Sequence, residues 1–374
     1  MTMKFIFAIT ALACLTAANA SVKELPRRQD ILSIMRKACD LEYTSGLKNN
    51  WIYSTYFAGM LATYRSTGNR KYRDQALSWA SSHSWAPKGR ISTTNADRQC
   101  CLQTYLELYL LDPGAHNEFM IENAEKNLNY LVKTKKAERE IWSWCDALFM
   151  APPALAMLAR IKSDRTYLDA MDRLWWDTYE HLYDKEEHLF YRDDSYIYPE
   201  KKTLNGKKIF WSRGNGWVIA GLARILQHMP GNYSERGKYI LLFKDMARAL
   251  RAVQGDDGLW RTSLVDSAEF PKPETSGTAL ITFAMAWGIN NGLLDESVYL
   301  PVVVHGWQGL TRMTDNAGAV RWVQKIGEAP GDTDKETSMP YATGALLLAG
   351  EEMLKLISKI KTEVPEIEKQ TESE

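Results

Sequence analysis

Gly216-Trp-Val-Ile-Ala-Gly-Leu-Ala223 carries no charge and is apolar on nearly every face of a helix. A helix of that kind belongs in an interior. Four further stretches share the character: Tyr56–Thr63, Ala151–Leu158, Ser276–Trp287 and Ala342–Gly350. Between them lie segments with one apolar and one charged face: Gln29–Gly46, Lys71–His83, Glu118–Lys135, Arg165–Tyr183, Gly237–Gln254 and Ser297–Met313. Periodicity and stop signals together predict twelve helices, starting near residues 28, 51, 69, 95, 116, 144, 165, 213, 236, 274, 296 and 339. Amphipathic and apolar helices alternate, with a loose repeat of roughly 45–65 residues. The pattern predicts an all-α fold, an (α/α)6 barrel of six helical hairpins with the apolar helices inside.

The longer connections precede inner helices. Leu189–Trp211 holds a strand-like Phe190-Tyr191-Arg192 and an Asn205-Gly206 turn, which predicts a β-hairpin. Leu259-Trp260-Arg261 and Ala319-Val-Arg-Trp-Val323 give similar signals in Gly258–Ser276 and Gly318–Met339. Short β-hairpins are therefore expected in the loops at the cavity mouth. Long loops at one end of a rigid scaffold commonly carry function.

The chain has 374 residues, enough for one large domain. Residues 1–20 read as a secretory signal. Lys4 is the basic region, Phe5 to Leu15 the apolar core, and Ala18-Asn19-Ala20 the cleavage site. That run is too short to span a bilayer. An exported, periplasmic protein is expected; lipidation at Cys14 and full secretion are minor alternatives. Residues 21–361 form the expected barrel and 362–374 a charged, flexible tail.

Basic and acidic residues balance at 46 each, which speaks against a nucleic-acid binder. Cys39, Cys100, Cys101 and Cys145 are too scattered for a disulfide scaffold, and the adjacent Cys100-Cys101 read as small buried residues. No Cys/His spacing resembles a zinc site. Gly255-Asp-Asp-Gly258 is a loop with no third ligand in view. The six histidines fall mostly on outer helices or loops. Thirteen Trp and eighteen Tyr suit a carbohydrate cleft, but also a large helical core.

In a toroid the starts of the inner helices converge on one mouth. Here they read Asn50-Trp51, Asn95-Ala96-Asp97, Trp144-Cys145-Asp146, Trp211-Ser212-Arg213-Gly214-Asn215-Gly216-Trp217, Glu274-Thr275-Ser276-Gly277 and Met339-Pro340-Tyr341. Asp146 and Asp97 are candidate acids, and either could simply cap a helix. Arg213, between tryptophans and glycines, could bind a carboxylate or pair with a structural acid. Trp144, Trp211, Trp217 and Tyr341 are candidate sugar-binding aromatics, with core packing as the alternative. Pro152-Pro153 predicts a kink or restart after Met150.

Trp144-Cys-Asp-Ala-Leu-Phe-Met-Ala-Pro-Pro153, Phe210-Trp-Ser-Arg-Gly-Asn-Gly-Trp217 and Tyr341-Ala-Thr-Gly-Ala345 resemble motifs of glycoside hydrolase family 105, the unsaturated rhamnogalacturonyl hydrolases. Asp97, ahead of Gln103-Thr-Tyr-Leu-Glu-Leu-Tyr109, matches another of its positions. The resemblance spans roughly residues 28–358. It implies an (α/α)6 barrel, no metal or organic cofactor, and an oligosaccharide substrate left by a polysaccharide lyase. It also implies an unusual hydrolysis, in which the C4–C5 double bond of a terminal uronate is hydrated. Asp146 would protonate C4 and then activate water, Asp97 would assist, Arg213 would hold the uronate carboxylate, and Trp144, Trp211 and Trp217 would shape the sugar site.

The chain departs from the family in one place. Many relatives have a substrate-contacting His where this chain reads Phe190-Tyr191-Arg192-Asp193-Asp194; His188 is out of register. The departure bears on substrate subtype. Unsaturated glucuronyl hydrolysis of ulvan, arabinogalactan or glycosaminoglycan fragments is the alternative activity. A sugar epimerase and a non-catalytic glycan-binding protein are the alternatives from other classes.

Overall fold

A computed structural model describes residues 25–112 and 117–371. The expected leader, with Cys14, lies outside the described residues. The inner helices are α2 (Trp51–Thr67), α5 (Cys101–Leu111), α8 (Pro152–Lys162), α10 (Ser212–His228), α12 (Thr275–Asn290) and α14 (Pro340–Thr371). The outer helices are α1 (Arg28–Glu42), α3 (Arg70–Ser82), α6 (Phe119–Lys133), α9 (Thr166–Leu182), α11 (Arg236–Ala252) and α13 (Glu296–Met313). Two inner helices are preceded by a single short turn, α4 (Ala96–Gln99) before α5 and α7 (Ala147–Met150) before α8.

Each inner helix packs on the next in chain order, and α14 closes the ring against α2. The fold is the (α/α)6 barrel. Its two kinds of helix follow from burial. Residues 275–289 of α12 are buried without a break, whereas α11 buries Tyr239, Leu242, Phe243, Met246, Ala247 and Leu250, the one stripe its period supplies. The double proline restarts the helix as expected: Pro152 and Pro153 occupy the first turn of α8, where no backbone donor is needed. The backbone of α14 runs on to Thr371, through the region expected to be a flexible tail; Glu and Lys, frequent there, are good helix formers.

Ring closure demands very close contact. A Cβ on Gly344 would lie 2.2 Å from the Thr55 carbonyl oxygen, and one on Gly59 2.4 Å from that of Gly344. Only glycine lets the two backbones meet this closely. The opposite end from Asp146 is tied by charge. Arg65 of α2 forms a fork to Glu351 of α14 at 2.7 and 2.6 Å, and also reaches Glu107 of α5. Arg224 of α10 pairs with Glu107 at 3.2 Å. Burial pushes Glu107 up, but Arg65 and Arg224 more than offset it and hold the carboxyl below its usual range.

The hairpin expectation needs correction. The one paired ladder among the described residues joins β1 (Tyr183–Asp184) to β2 (Leu189–Phe190), so it ends where the predicted hairpin begins. His188 sits in its turn at φ 57° and bonds the Tyr183 hydroxyl at 3.1 Å. Asn205-Gly206 does turn the chain, with Thr203 N–H bonding the Lys207 carbonyl, but no strands flank it. The other strand-like segments make isolated bridges, Trp144 with Asp193, Trp211 with Ser263 and Thr314 with Val320. The first two pair separate mouth loops with one another, so those backbone groups are satisfied without local hairpins.

Gly344→Val is expected to wedge α14 off α2. Overpacking of this sort costs about 1–3 kcal/mol, and Tm should fall by roughly 3–10 °C in calorimetry. An unchanged Tm would contradict the close approach.

Candidate active site

Three loops meet above the starts of the inner helices. Cys145 N–H bonds the Arg192 carbonyl at 2.8 Å, and Ser212 N–H bonds that of Thr262 at 2.9 Å. Gly214 permits the first loop to lie against α10: a Cβ there would stand 3.1 Å from both Cys145 Sγ and the Trp211 ring. The third loop, after Val323, is pinned by Glu274. This buried carboxylate caps α12 through Ser276 and Gly277 N–H (2.9 and 2.7 Å) and accepts Gln324 N–H at 3.3 Å.

Asp146 stands immediately before α7, yet its side chain accepts no capping hydrogen bond. That removes the simple capping role. The carboxylate is buried, with Cys145 Sγ donating to Oδ2 at 3.6 Å and Arg192 Nε 3.6 Å from the same oxygen. Burial raises its pKa; Arg192 and Arg213 act in opposition without cancelling the rise. Asp97 lies in α4, where the cap is Asn95 instead, accepting Arg98 N–H at 3.1 Å. Burial, then the charge of Asp146, pushes the Asp97 carboxyl up to about 6. The two acids therefore feel each other.

The expected sugar-binding residues divide. Trp144 is half-buried and rests on the core beside Asp146. Trp211, Arg213, Trp217 and Tyr341 are almost completely buried. Trp217 packs with Phe149 (ring centroids 4.7 Å apart), and Tyr341 with Trp51 (5.2 Å). Together these four rings make an aromatic floor under the mouth. Arg213 lies 4.4 Å over the Trp211 ring and 5.1 Å from that of Tyr341. Its Nη1 donates to the Gln324 carbonyl at 2.8 Å and its Nη2 to that of Lys325 at 2.9 Å. The expected carboxylate ligand thus also holds a loop, because folding brings two backbone carbonyls to it.

Arg192 is the cation that sequence reasoning passed over as a site residue. It pairs with Asp193 and approaches Glu328 at 3.7 Å. Its Nε has no hydrogen-bond partner although that atom is buried. The available sequence signal was its substitution for the expected His. Among the described residues no cluster of His, Cys, Asp or Glu could hold a metal ion.

The chain's relatives agree with this architecture. The profile of Glycosyl Hydrolase Family 88 matches residues 30–357. The chain belongs to glycosyl hydrolase family 88. It is therefore a glycoside hydrolase. An "unsaturated 3S-rhamnoglycuronyl hydrolase" of Formosa agariphila is 38% identical over 321 residues, 82% of this chain and 85% of that one. The structure of a family 88 hydrolase from Bacteroides vulgatus superposes with a TM-score of 0.83 at 33% identity, over 88% of this chain and all of that one. A structure described as a polysaccharide lyase also reaches 0.83, at 32% identity, over 88% of this chain and 98% of that one.

A carboxyl titrating higher in the fold than in the unfolded chain weakens the fold as pH rises between those values. Asp97→Asn should therefore raise Tm at pH 7–8. Its advantage should shrink as pH falls through about 6 and vanish near 4, as followed by calorimetry.

Proposed function

We propose that the protein releases a 4,5-unsaturated uronic acid from the non-reducing end of rhamnose-containing oligosaccharides made by a lyase. The carrying observation is the buried Asp146 carboxyl, free of any capping role, paired at 3.6 Å with the Nε of Arg192, which makes no hydrogen bond. The identity to a rhamnoglycuronyl hydrolase favours a rhamnose-linked glucuronyl residue over a rhamnogalacturonan fragment. A finer place among the family 105 enzymes rests on the Trp-Ser-Arg-Gly-Asn-Gly-Trp and Trp-Cys-Asp motifs. Export to the periplasm rests on the apolar run and the Ala18-Asn19-Ala20 site.

In this mechanism the uronate carboxylate docks on the partly exposed guanidinium of Arg192. The docked charge lies close to Asp146 and favours its protonated form. C4 is two bonds from the carboxylate carbon, so anchoring the latter beside Asp146 brings C4 within the acid's reach. Asp146 delivers its proton to C4, and the ring oxygen shares the positive charge that develops at C5. Water adds to C5 and returns a proton to Asp146. The resulting hemiketal opens by cleaving the bond between C5 and the ring oxygen. The C1 hemiacetal then expels the next sugar. No displacement at C1 is required, so one acid suffices where ordinary glycosidases need a pair. Asp97, partly neutral near pH 6, positions the water or a sugar hydroxyl.

The ultraviolet absorbance of the conjugated double bond reports the reaction directly. With an unsaturated glucuronyl-rhamnose disaccharide the absorbance should fall. Asp146→Asn should slow the fall by about a hundredfold or more. Arg192→Lys, which loses the fork but keeps the charge, should raise KM more than it lowers kcat. A rise in absorbance on intact polysaccharide would indicate a lyase. Binding without turnover would indicate a glycan-binding protein.

A further inference from the structure

Trp322 is set apart from the other tryptophans. Nine of the thirteen are buried, and Trp51, Trp144 and Trp176 rest on the core. Trp322 does neither. It is partly exposed, stacks on no other ring, and its Nε1 makes no hydrogen bond among the described residues. Its backbone stands at φ 59°, a left-handed conformation that a bulky side chain rarely adopts.

That conformation is enforced from both sides. Arg321 N–H bonds the Met313 carbonyl at 2.9 Å, and the Arg321 carbonyl accepts from Thr275 Oγ1 at 2.8 Å. The Trp322 carbonyl accepts Thr275 N–H, and Val323 N–H bonds the Thr337 carbonyl, both at 3.2 Å. Glycine would occupy this position without strain. A large aromatic ring outside the hydrophobic core, held at an unfavourable angle, is not put there by core packing. Strain of this sort collects at ligand clamps.

Trp322 also has the right location. Thr275 opens α12 at the mouth. Two residues after Trp322, Gln324 accepts from Arg213, and the same loop carries Glu328 to Arg192 beside Asp146. One loop therefore runs from the Trp322 backbone to the reacting centre.

We propose that Trp322 is the stacking platform for the sugar that follows the unsaturated uronate. The inference rests on the hydrolase reading above. An aromatic face matches the apolar face of a deoxy sugar such as rhamnose, whose methyl group adds hydrophobic area. Trp322 binds the leaving sugar and has no part in the proton transfers.

The test compares native protein, Trp322→Gly and Trp322→Phe on an unsaturated glucuronyl-rhamnose disaccharide. Trp322→Gly should unfold at the same temperature as the native protein or higher. Its KM should rise about tenfold, the equivalent of roughly 1.4 kcal/mol, with kcat within about twofold. Trp322→Phe should keep most of the affinity. Quenching of the native protein's tryptophan fluorescence by the rhamnose-containing product should be reduced in Trp322→Gly. The inference is overturned if Trp322→Gly keeps the native KM, or if its Tm falls while KM rises and Phe fails to restore it. A native protein that leaves the double bond intact would overturn the hydrolase reading itself, and this assignment with it.

Discussion

The last inner helix has to meet the first. Everything at the mouth depends on that closure, because only a complete ring brings six helix starts to one place. The contact is made backbone to backbone at Gly59 and Gly344, and a fork between Arg65 and Glu351 ties the same two helices near the opposite end. The two contacts differ in kind. The glycines set distance through steric exclusion, while the buried ion pair penalises any rearrangement that would leave a charge alone. The ring is thus fixed near both ends of one seam, and its other seams follow chain order.

On this scaffold the mouth loops hold each other. Trp144 pairs with Asp193, Trp211 with Ser263, and Gln324 is gripped by Glu274, Arg213 and the Tyr341 hydroxyl. Catalytic geometry on loops is usually less secure than on helices. Here buried hydrogen bonds replace the missing regular structure. Asp146 gains its raised pKa from this enclosure, since its neighbours are Cys145, a half-buried tryptophan and a partly buried arginine, with little solvent.

Much of this was legible in the sequence. Alternation of apolar and amphipathic helices identified the barrel because each helix records its own environment in its own period. The helix starts brought Asp146 and Asp97 forward as candidates, and the fold sets the two close enough for the charge of Asp146 to raise the Asp97 pKa. What could not be read was pairing across distance. Arg213 reads as a carboxylate ligand, and its period gives no sign that the carbonyls of Gln324 and Lys325, more than a hundred residues away, also accept from it. Arg192 was visible only as a departure from an expected His, since its neighbours Asp146 and Glu328 come from separate loops. The predicted hairpins failed for the same reason: strand propensity says that a segment will pair, not with whom.

The aromatic floor has a consequence for traffic. Trp51, Phe149, Trp217 and Tyr341 pack ring against ring beneath the mouth, and inner helices such as α10 and α12 are buried along nearly their whole length, which makes the site a cup and not a tunnel. A polysaccharide cannot thread through a cup; it can only present a tip. The freed uronate and the shortened chain must also leave the way the substrate came. Each encounter then removes one sugar and ends, and accumulating product competes for the same doorway. Such an enzyme works one terminus at a time behind another enzyme that makes the termini.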